Sequence, residues 1–156
     1  MWVTVWRHGE AGAGSPDALR TLTSRGEESV VAASRVFLQA LLEREVPAVN
    51  RILASPLRRT EQTAGLLGSE LHVEVTLDPA LAPGAHVAGV ADLIGDNVEH
   101  ALLVGHQPMV SELLWYWLDS SHLPPLAPGG WATVSLMVHG RGTAALVDYR
   151  ADILQR

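Results

Sequence analysis

Three short segments of the sequence combine arginine and histidine side chains that could act together on an anion. They are Arg7-His8-Gly9, Ser55-Pro56-Leu57-Arg58-Arg59 and Gly105-His106-Gln107-Pro108. Arginine binds phosphate through paired N–H groups, and a neutral imidazole can attack phosphorus to form a phosphohistidine. The arginines and a second histidine would stabilise charge on the phosphoryl oxygens. These residue types therefore indicate phosphoryl transfer rather than simple phosphate binding.

Each of these segments follows a predicted strand. The strands are predicted at 2–6, 50–54 and 101–105, where β-branched, aromatic and aliphatic residues dominate. In an open α/β sheet, ligands bind outside the carboxyl ends of the strands. We therefore expect the three segments to converge at one edge of the sheet.

Helices are predicted between these strands. The first is predicted at 24–45, where Ser24 and Glu27 have the spacing of a capping box, and the second is opened by Ser55 as N-cap and Pro56 as its first residue. Two more are predicted at 89–95 and 108–118. A further strand is predicted at 72–76, and a hairpin at 131–138 and 143–149. The alternation predicts an α/β three-layer sandwich, with a mostly parallel central sheet, helices on both faces and an antiparallel C-terminal edge hairpin.

The composition narrows the protein class further. A length of 156 residues suits one domain spanning 1–156. The net charge of −6, without a run of basic residues, argues against nucleic-acid binding, and no stretch approaches the roughly 20 apolar residues of a membrane helix. There is no cysteine, which excludes disulfides and cysteine metal sites. We expect a cytoplasmic protein that binds neither nucleic acid nor membranes.

Neither a metal ion nor an organic cofactor is predicted. The Asp and Glu residues are scattered along the chain, and the histidine spacing matches no metal-ligand motif. The histidines outside the three segments are expected on the surface or in loops: His72, His86, His100, His122 and His139. Of these, His86 lies in a loop that could border the site. Arg20 is expected to be solvated.

The ordered segments resemble the histidine phosphatase superfamily, which has the phosphoglycerate-mutase-like fold. Its Arg-His-Gly pattern is found at Arg7-His8-Gly9, and its Ser-x-Leu-x-Arg-Ala-x-x-Thr pattern spans 55–63, with Thr60 in place of the usual Ala. Leu22-Thr23-x-x-Gly26 and Gly105-His106 also match. The resemblance therefore runs from residue 3 to beyond residue 110.

The resemblance implies a role for each matched side chain. His8 would be the nucleophile that accepts the phosphoryl group, Arg7 and Arg59 would hold its oxygens, and His106 would complete the pocket. Substrate contacts are also expected from Gly9, Glu10, Arg58 and His86. Within the superfamily the chain is most similar to the small SixA-type phosphohistidine phosphatases, because it is short and carries Gln62-Thr63-Ala64 and Gly-His-x-Pro.

A short loop at 77–86 stands where mutases and larger phosphatases carry an insertion with a catalytic Glu. Cleavage of a P–O bond to an alkoxide needs a strong proton donor, whereas a phosphorylated imidazole has a better leaving group. This favours phosphohistidine on a signalling protein, such as a histidine phosphotransfer domain, as the substrate. Glu10 or Asp78 could still act as the acid. The alternatives are a phosphatase for small phosphomonoesters and a noncatalytic module that binds phosphorylated ligands, and a mutase is disfavoured.

Overall fold

A computed structural model describes residues 1–152 and contains one six-stranded sheet with helices on both faces. The strands are β1 Trp2–Arg7, β2 Arg51–Ala54, β3 Val75–Leu77, β4 His100–Gly105, β5 Trp131–Leu136 and β6 Ala144–Arg150. The helices are α1 Ser24–Glu43, α2 Arg58–Leu71, α3 Val87–Leu93 and α4 Met109–Leu118, with 3-10 turns at Asp17–Leu19 and Pro79–Leu81. Among residues 1–152, no helix is both long and apolar enough to cross a membrane.

The sheet has the order β3-β2-β4-β1-β5-β6. The first four strands in this order pair in parallel, and β5 pairs antiparallel with both β1 and β6. The predicted α/β fold with a mostly parallel sheet and an antiparallel edge hairpin is confirmed. The parallel strands β1, β2 and β4 end at the same edge, so the segments that follow them start close together.

Alternating side chains of the sheet pack into two cores. Val3, Val5 and Leu103 point to the face covered by α3 and α4, where Trp117 is fully buried. Trp6 points to the opposite face, where it packs with α1, α2 and Trp131. Because strand side chains alternate between faces, each parallel strand supports both helical layers at once.

The structure corrects two predicted helix starts. Thr23, not Ser24, caps α1: the Thr23 side chain accepts a hydrogen bond from the backbone N–H of Gly26, while its own N–H donates to the carbonyl of Glu10. The second helix begins at Arg58 and not at Pro56. The Ser55 hydroxyl is instead hydrogen bonded to His106, so the predicted N-cap has a role in the site.

The remaining boundary errors lie beside irregular backbone. The strand predicted at 72–76 is found at Val75–Leu77, because α2 runs on to Leu71 and ends with His72 in the left-handed region. The short helix predicted at 89–95 begins two residues earlier, at Val87.

His100 was expected on the surface and is instead fully buried in the sheet. Its Nδ1 donates to the Pro47 carbonyl at 2.8 Å, and its Nε2 lies 2.8 Å from the Thr4 hydroxyl, which in turn contacts the hydroxyl of Thr133. Burial lowers the pKa of His100, so the ring is neutral. A fully paired polar side chain can replace an apolar one inside a sheet, and strand pattern alone does not reveal its partners.

Two glycines allow α1 to pack against the segment that follows β1. A Cβ atom at Gly26 would lie 2.2 Å from the carbonyl oxygen of Glu10, and one at Gly9 would lie 2.8 Å from Cγ2 of Val30. The first contact is with backbone, which cannot rotate away. The Leu22-Thr23-x-x-Gly26 pattern is therefore a packing requirement that fixes the backbone next to His8.

Replacing Gly26 with Ala is expected to destabilise the protein by about 1–3 kcal/mol, the usual cost of overpacking a close contact. The matched control is Gly65→Ala, because Gly65 lies inside α2 with no atom within 4 Å of a new Cβ. That change should stabilise the protein by about 0.5–1 kcal/mol. Chemical denaturation measures both free energies of unfolding. Equal effects at the two positions would contradict the packing role of Gly26.

Candidate active site

The ends of β1, β2 and β4 bring together the side chains that the sequence singled out. The backbone N–H of His8 donates to the Gly105 carbonyl, which joins the end of β1 to the end of β4. The rings of His8 and His106 have centroids 5.4 Å apart and are tilted by 55°. Arg7 and Arg59 are close enough to both imidazoles to influence their pKa values.

His8 is held in one orientation by its own neighbour. Its Nδ1 atom lies 2.8 Å from the carbonyl oxygen of Gly9. A carbonyl can only accept, so Nδ1 must carry the hydrogen. In the neutral ring, Nε2 then keeps a free lone pair and is the nucleophilic atom.

The segment that holds His8 is tied to α2 through one hydroxyl. The backbone N–H of Gly9 donates to Oγ1 of Thr63 at 3.0 Å, and that hydroxyl donates to the carbonyl of Arg59 at 2.8 Å. Nearby, the side-chain oxygen of Gln62 accepts a hydrogen bond from the backbone N–H of Leu22. Gln62 and Thr63 therefore connect the His8 segment, the start of α1 and Arg59.

Arg7 is positioned by the loop that follows α4. Its Nη1 donates to the carbonyl of Leu126 at 2.9 Å, and the backbone of Gly129 donates to the carbonyls of Arg7 and His8. The segment 119–130 carries no sequence pattern that indicates a supporting role in the site. Backbone carbonyls and amides make these contacts, so no side-chain pattern records them.

His106 is buried, and its Nε2 lies 2.8 Å from the Ser55 hydroxyl. An oxygen of a phosphoryl group can only accept a hydrogen bond, so binding one through Nδ1 requires the tautomer with hydrogen on Nδ1. In that tautomer Nε2 accepts from Ser55. Within residues 1–152, Nδ1 of His106 and the Nε atoms of Arg7 and Arg59 are buried without a hydrogen-bond partner. An anion with several oxygens is the kind of ligand that pairs with such donors.

Asp17 belongs to the site, although no sequence pattern marks it. Its backbone carbonyl accepts from Nη1 of Arg59 at 2.9 Å, and its carboxylate accepts from Nη2 of Arg59 at 3.1 Å and from Nη1 of Arg20 at 3.0 Å. Arg20, expected to be solvated, is therefore coupled to the site through Asp17, and its Nε also donates to the Gly12 carbonyl. Asp17 lies in a 3-10 turn between β1 and α1, where no periodic pattern indicates that it meets Arg59.

Both candidate histidines are neutral at physiological pH. Burial is the main cause that lowers the pKa of His8 to about 4; the hydrogen bond to the Gly9 carbonyl acts in the opposite direction, and the charges of Arg59, Arg7 and Arg20 lower the pKa further. Burial also lowers the pKa of His106 to about 4, helped by the positive charge of Arg59. A neutral His8 ring is the form that can attack phosphorus.

Glu10, Arg58 and His86, which were expected to contact the substrate, are exposed residues at the margin of the site around His8 and His106. Glu10 is exposed, and its carboxylate accepts from the Thr23 hydroxyl, in a cavity with Gly9 and Arg25 rather than with His106. Arg58 is exposed on α2. His86 is exposed just before α3, outside the lining of the cavity that contains His106. Their substrate contacts stay predictions. The other suggested acid, Asp78, uses its carboxylate to cap the turn that follows it.

The described part of the chain contains no group of three or more His, Asp or Glu side chains that could hold a metal ion. The N–H groups of Arg7 and Arg59 that are unpaired within residues 1–152, with His106 in the tautomer that carries hydrogen on Nδ1, are donors for an anion. The arrangement can bind a phosphoryl group, present a nucleophilic nitrogen to it and stabilise charge on its oxygens.

Residues 3–83 match the sequence pattern of the histidine phosphatase superfamily, branch 1, and the chain belongs to this superfamily. No curated protein matches the sequence. A structure of the protein histidine phosphatase SixA complexed with tungstate has a TM-score of 0.80 and 25% identity, covering 97% of each chain.

Two further solved structures share the fold at lower identity. A SixA-type protein from Agrobacterium tumefaciens has a TM-score of 0.79 at 20% identity, with 97% of each chain covered. Mycobacterial glucosyl-3-phosphoglycerate phosphatase has a TM-score of 0.70 at 19% identity, covering 96% of this chain and 98% of that one. The fold is therefore shared by proteins named for different phosphorylated substrates.

The pKa values of the two histidines can be tested directly. The Cε1 proton resonances of His8 and His106 should titrate with midpoints at about 4 when no phosphate is added. His8→Gln and His106→Gln variants assign the signals. Unfolded histidines take up protons at about pH 6.5, whereas the folded ones do so only at about pH 4. Acidification from about pH 6.5 to about pH 4 therefore favours the unfolded chain and should lower the free energy of unfolding. Midpoints near the unfolded value would contradict the neutral, buried site.

Proposed function

We propose that this chain is a metal-independent phosphatase that forms a phosphohistidine at His8 and removes phosphate from phosphohistidine on a signalling protein. The observation that carries the proposal is the orientation of His8, whose Nδ1 donates to the Gly9 carbonyl and leaves Nε2 free. Arg7, Arg59 and His106 hold the phosphoryl oxygens in this proposal. The proposed compartment is the reducing cytoplasm, with which a cysteine-free sequence is compatible.

The first step needs no proton transfer when the substrate is a phosphoimidazole protonated on its distal ring nitrogen. Nε2 of His8 forms a bond to phosphorus, and the P–N bond of the substrate breaks. The substrate ring keeps its proton and leaves as neutral imidazole. Phosphorylated His8 carries the positive ring charge, and its Nδ1–H remains bonded to the Gly9 carbonyl.

In the second step a water molecule attacks phosphorus and the bond to Nε2 of His8 breaks. The bonding electrons return to Nε2, which restores the neutral ring. The phosphate product carries both hydrogens of the water as dihydrogen phosphate. Arg7 and Arg59 stabilise the charge on the phosphoryl oxygens in both displacements.

The local electrostatics support a P–N substrate over a P–O substrate. An alkoxide leaving group needs an acid that is protonated at neutral pH. The carboxylate that contacts Arg59 is Asp17, and hydrogen bonds from Arg20 and Arg59 lower the pKa of Asp17. Asp17 is therefore ionised and a poor acid, while a phosphorylated imidazole needs none.

The surface beside His106 supports a protein substrate. His106 lines a cavity of about 210 Å³ whose rim includes Glu112. Glu112 also lines an adjacent groove of about 470 Å³ that contains Trp115, Tyr116 and Arg141. In this proposal the phosphorylated side chain of a histidine phosphotransfer domain reaches His8, and the surrounding surface of that domain packs on the cavity and the groove. Aromatic and arginine side chains are typical of such contacts.

The substrate class can be tested by measuring initial rates on three substrates with a metal chelator present. They are a phosphohistidine-bearing phosphotransfer domain, phosphoimidazole and glycerol 2-phosphate, a phosphomonoester whose leaving group is an alkoxide. We expect kcat/KM to be highest for the protein domain and lowest for the ester. His8→Ala should abolish turnover, because no other ring replaces Nε2, and Arg35→Ala, on the exposed face of α1, serves as the surface control.

Faster hydrolysis of the ester than of both P–N substrates would instead assign a small-molecule phosphatase, as the glucosyl-3-phosphoglycerate phosphatase neighbour illustrates for the fold. Binding of inorganic phosphate without turnover of any of the substrates would favour a noncatalytic binding module. Full turnover by His8→Ala would rule out His8 as the nucleophile.

A further inference from the structure

The Asp17 carboxylate sits between two arginines at the edge of the phosphate site. Oδ2 accepts from Arg59 and Oδ1 accepts from Arg20, at 3.1 and 3.0 Å. The Asp17 backbone carbonyl holds Arg59 as well, at 2.9 Å. The position of Arg59 therefore does not depend on the charge of the carboxylate alone.

The two ends of this ion pair differ in exposure. The Arg59 side chain is 7% exposed, whereas that of Asp17 is 59% exposed. A phosphoryl group that binds the buried arginine must have the rest of its substrate on the solvent side. The exposed Asp17 carboxylate lies on this solvent side of Arg59, where we place the leaving group.

A fixed carboxylate there distinguishes leaving groups by charge. It attracts a protonated ring, which carries a positive charge and an N–H donor, through a charge-assisted hydrogen bond. It repels an oxygen leaving group that becomes an anion as the P–O bond breaks. Hydrogen bonds from Arg20 and Arg59 keep Asp17 ionised, so the carboxylate acts as an acceptor and not as an acid.

Resting on the proposed function, the geometry points to Asp17 as the residue that selects phosphohistidine, by accepting a hydrogen bond from the distal N–H of the substrate ring. The contact keeps that ring protonated while Nε2 of His8 attacks phosphorus and the P–N bond breaks. The ring leaves as neutral imidazole with its N–H still directed at Asp17. No proton is transferred. The positive charge is on the substrate ring before the step and on the phosphorylated ring of His8 after it.

The test compares Asp17→Asn with the unchanged protein on phosphoimidazole and on p-nitrophenyl phosphate. Asn keeps an oxygen that can accept from Arg59 but removes the negative charge. We expect kcat/KM for phosphoimidazole to fall by about tenfold or more, the size of effect expected on losing a hydrogen bond to a charged group. We expect kcat/KM for p-nitrophenyl phosphate to stay level or rise, and inhibition by inorganic phosphate to be at least as strong as before.

Two further variants complete the design. Asp96→Asn is the control variant, because Asp96 is exposed in the turn before β4, at the opposite end of that strand from His106. It should leave both substrates unchanged. Asp17→Glu restores the charge and should recover part of the preference for phosphoimidazole.

A parallel loss on both substrates, with weaker inhibition by phosphate, would overturn the inference and leave Asp17 as a support for Arg59. The inference would also be overturned if Asp17→Glu showed no more preference for phosphoimidazole over p-nitrophenyl phosphate than Asp17→Asn does. If the unchanged protein hydrolyses the ester of the substrate comparison under Proposed function faster than both P–N substrates, the proposed function itself fails. That comparison is made before any variant is tested. Failure of the inference alone would leave the preference for P–N substrates intact.

Discussion

The hydrogen bond from Nδ1 of His8 to the Gly9 carbonyl is the constraint on which the site depends. It forces the hydrogen of the neutral ring onto Nδ1 and leaves the lone pair on Nε2. It would also satisfy the Nδ1–H of the charged ring once Nε2 is phosphorylated. In the proposed mechanism this one contact selects the nucleophilic atom and supports the intermediate. Its geometry requires that the Gly9 carbonyl be held still, and much of the surrounding structure serves that requirement.

The backbone next to His8 is fixed from several parts of the chain. Thr63 on α2 accepts from the Gly9 amide, Gly26 on α1 lets the helix approach Glu10, and the carbonyl of Gly105 at the end of β4 accepts from the His8 amide. Each contact comes from an element that follows or adjoins a parallel strand. The edge of the sheet therefore does more than bring the site residues close together. It also determines the backbone conformation of His8, the residue proposed to react.

The sequence was sufficient to predict the sheet type, the helical layers and the convergence of three segments that carry arginine and histidine, because strand ends in parallel sheets share an edge. The choice of Arg59 over Arg58 came from the family resemblance and not from the periodicity of α2. The sequence was not sufficient for Asp17, Leu126 or the buried His100. Asp17 and Leu126 lie in irregular segments, and their contacts depend on where the backbone turns rather than on spacing. His100 sits in an apolar strand, and its partners come from distant positions. Ser55 was identified, but as a helix cap, since its contact with His106 crosses from one strand end to another.

The central claim is that His8 carries the phosphoryl group during turnover. The most direct measurement is a rapid-quench single turnover with phosphoimidazole labelled on phosphorus, stopped in alkali, where phosphohistidine survives, and followed by peptide mapping. If His8 carries the phosphoryl group, we expect label on the peptide containing His8 before free phosphate is released. Acid should remove this label, and the His8→Ala variant should carry no labelled peptide. Release of labelled phosphate at the full rate with no labelled His8 peptide at any time would contradict the claim.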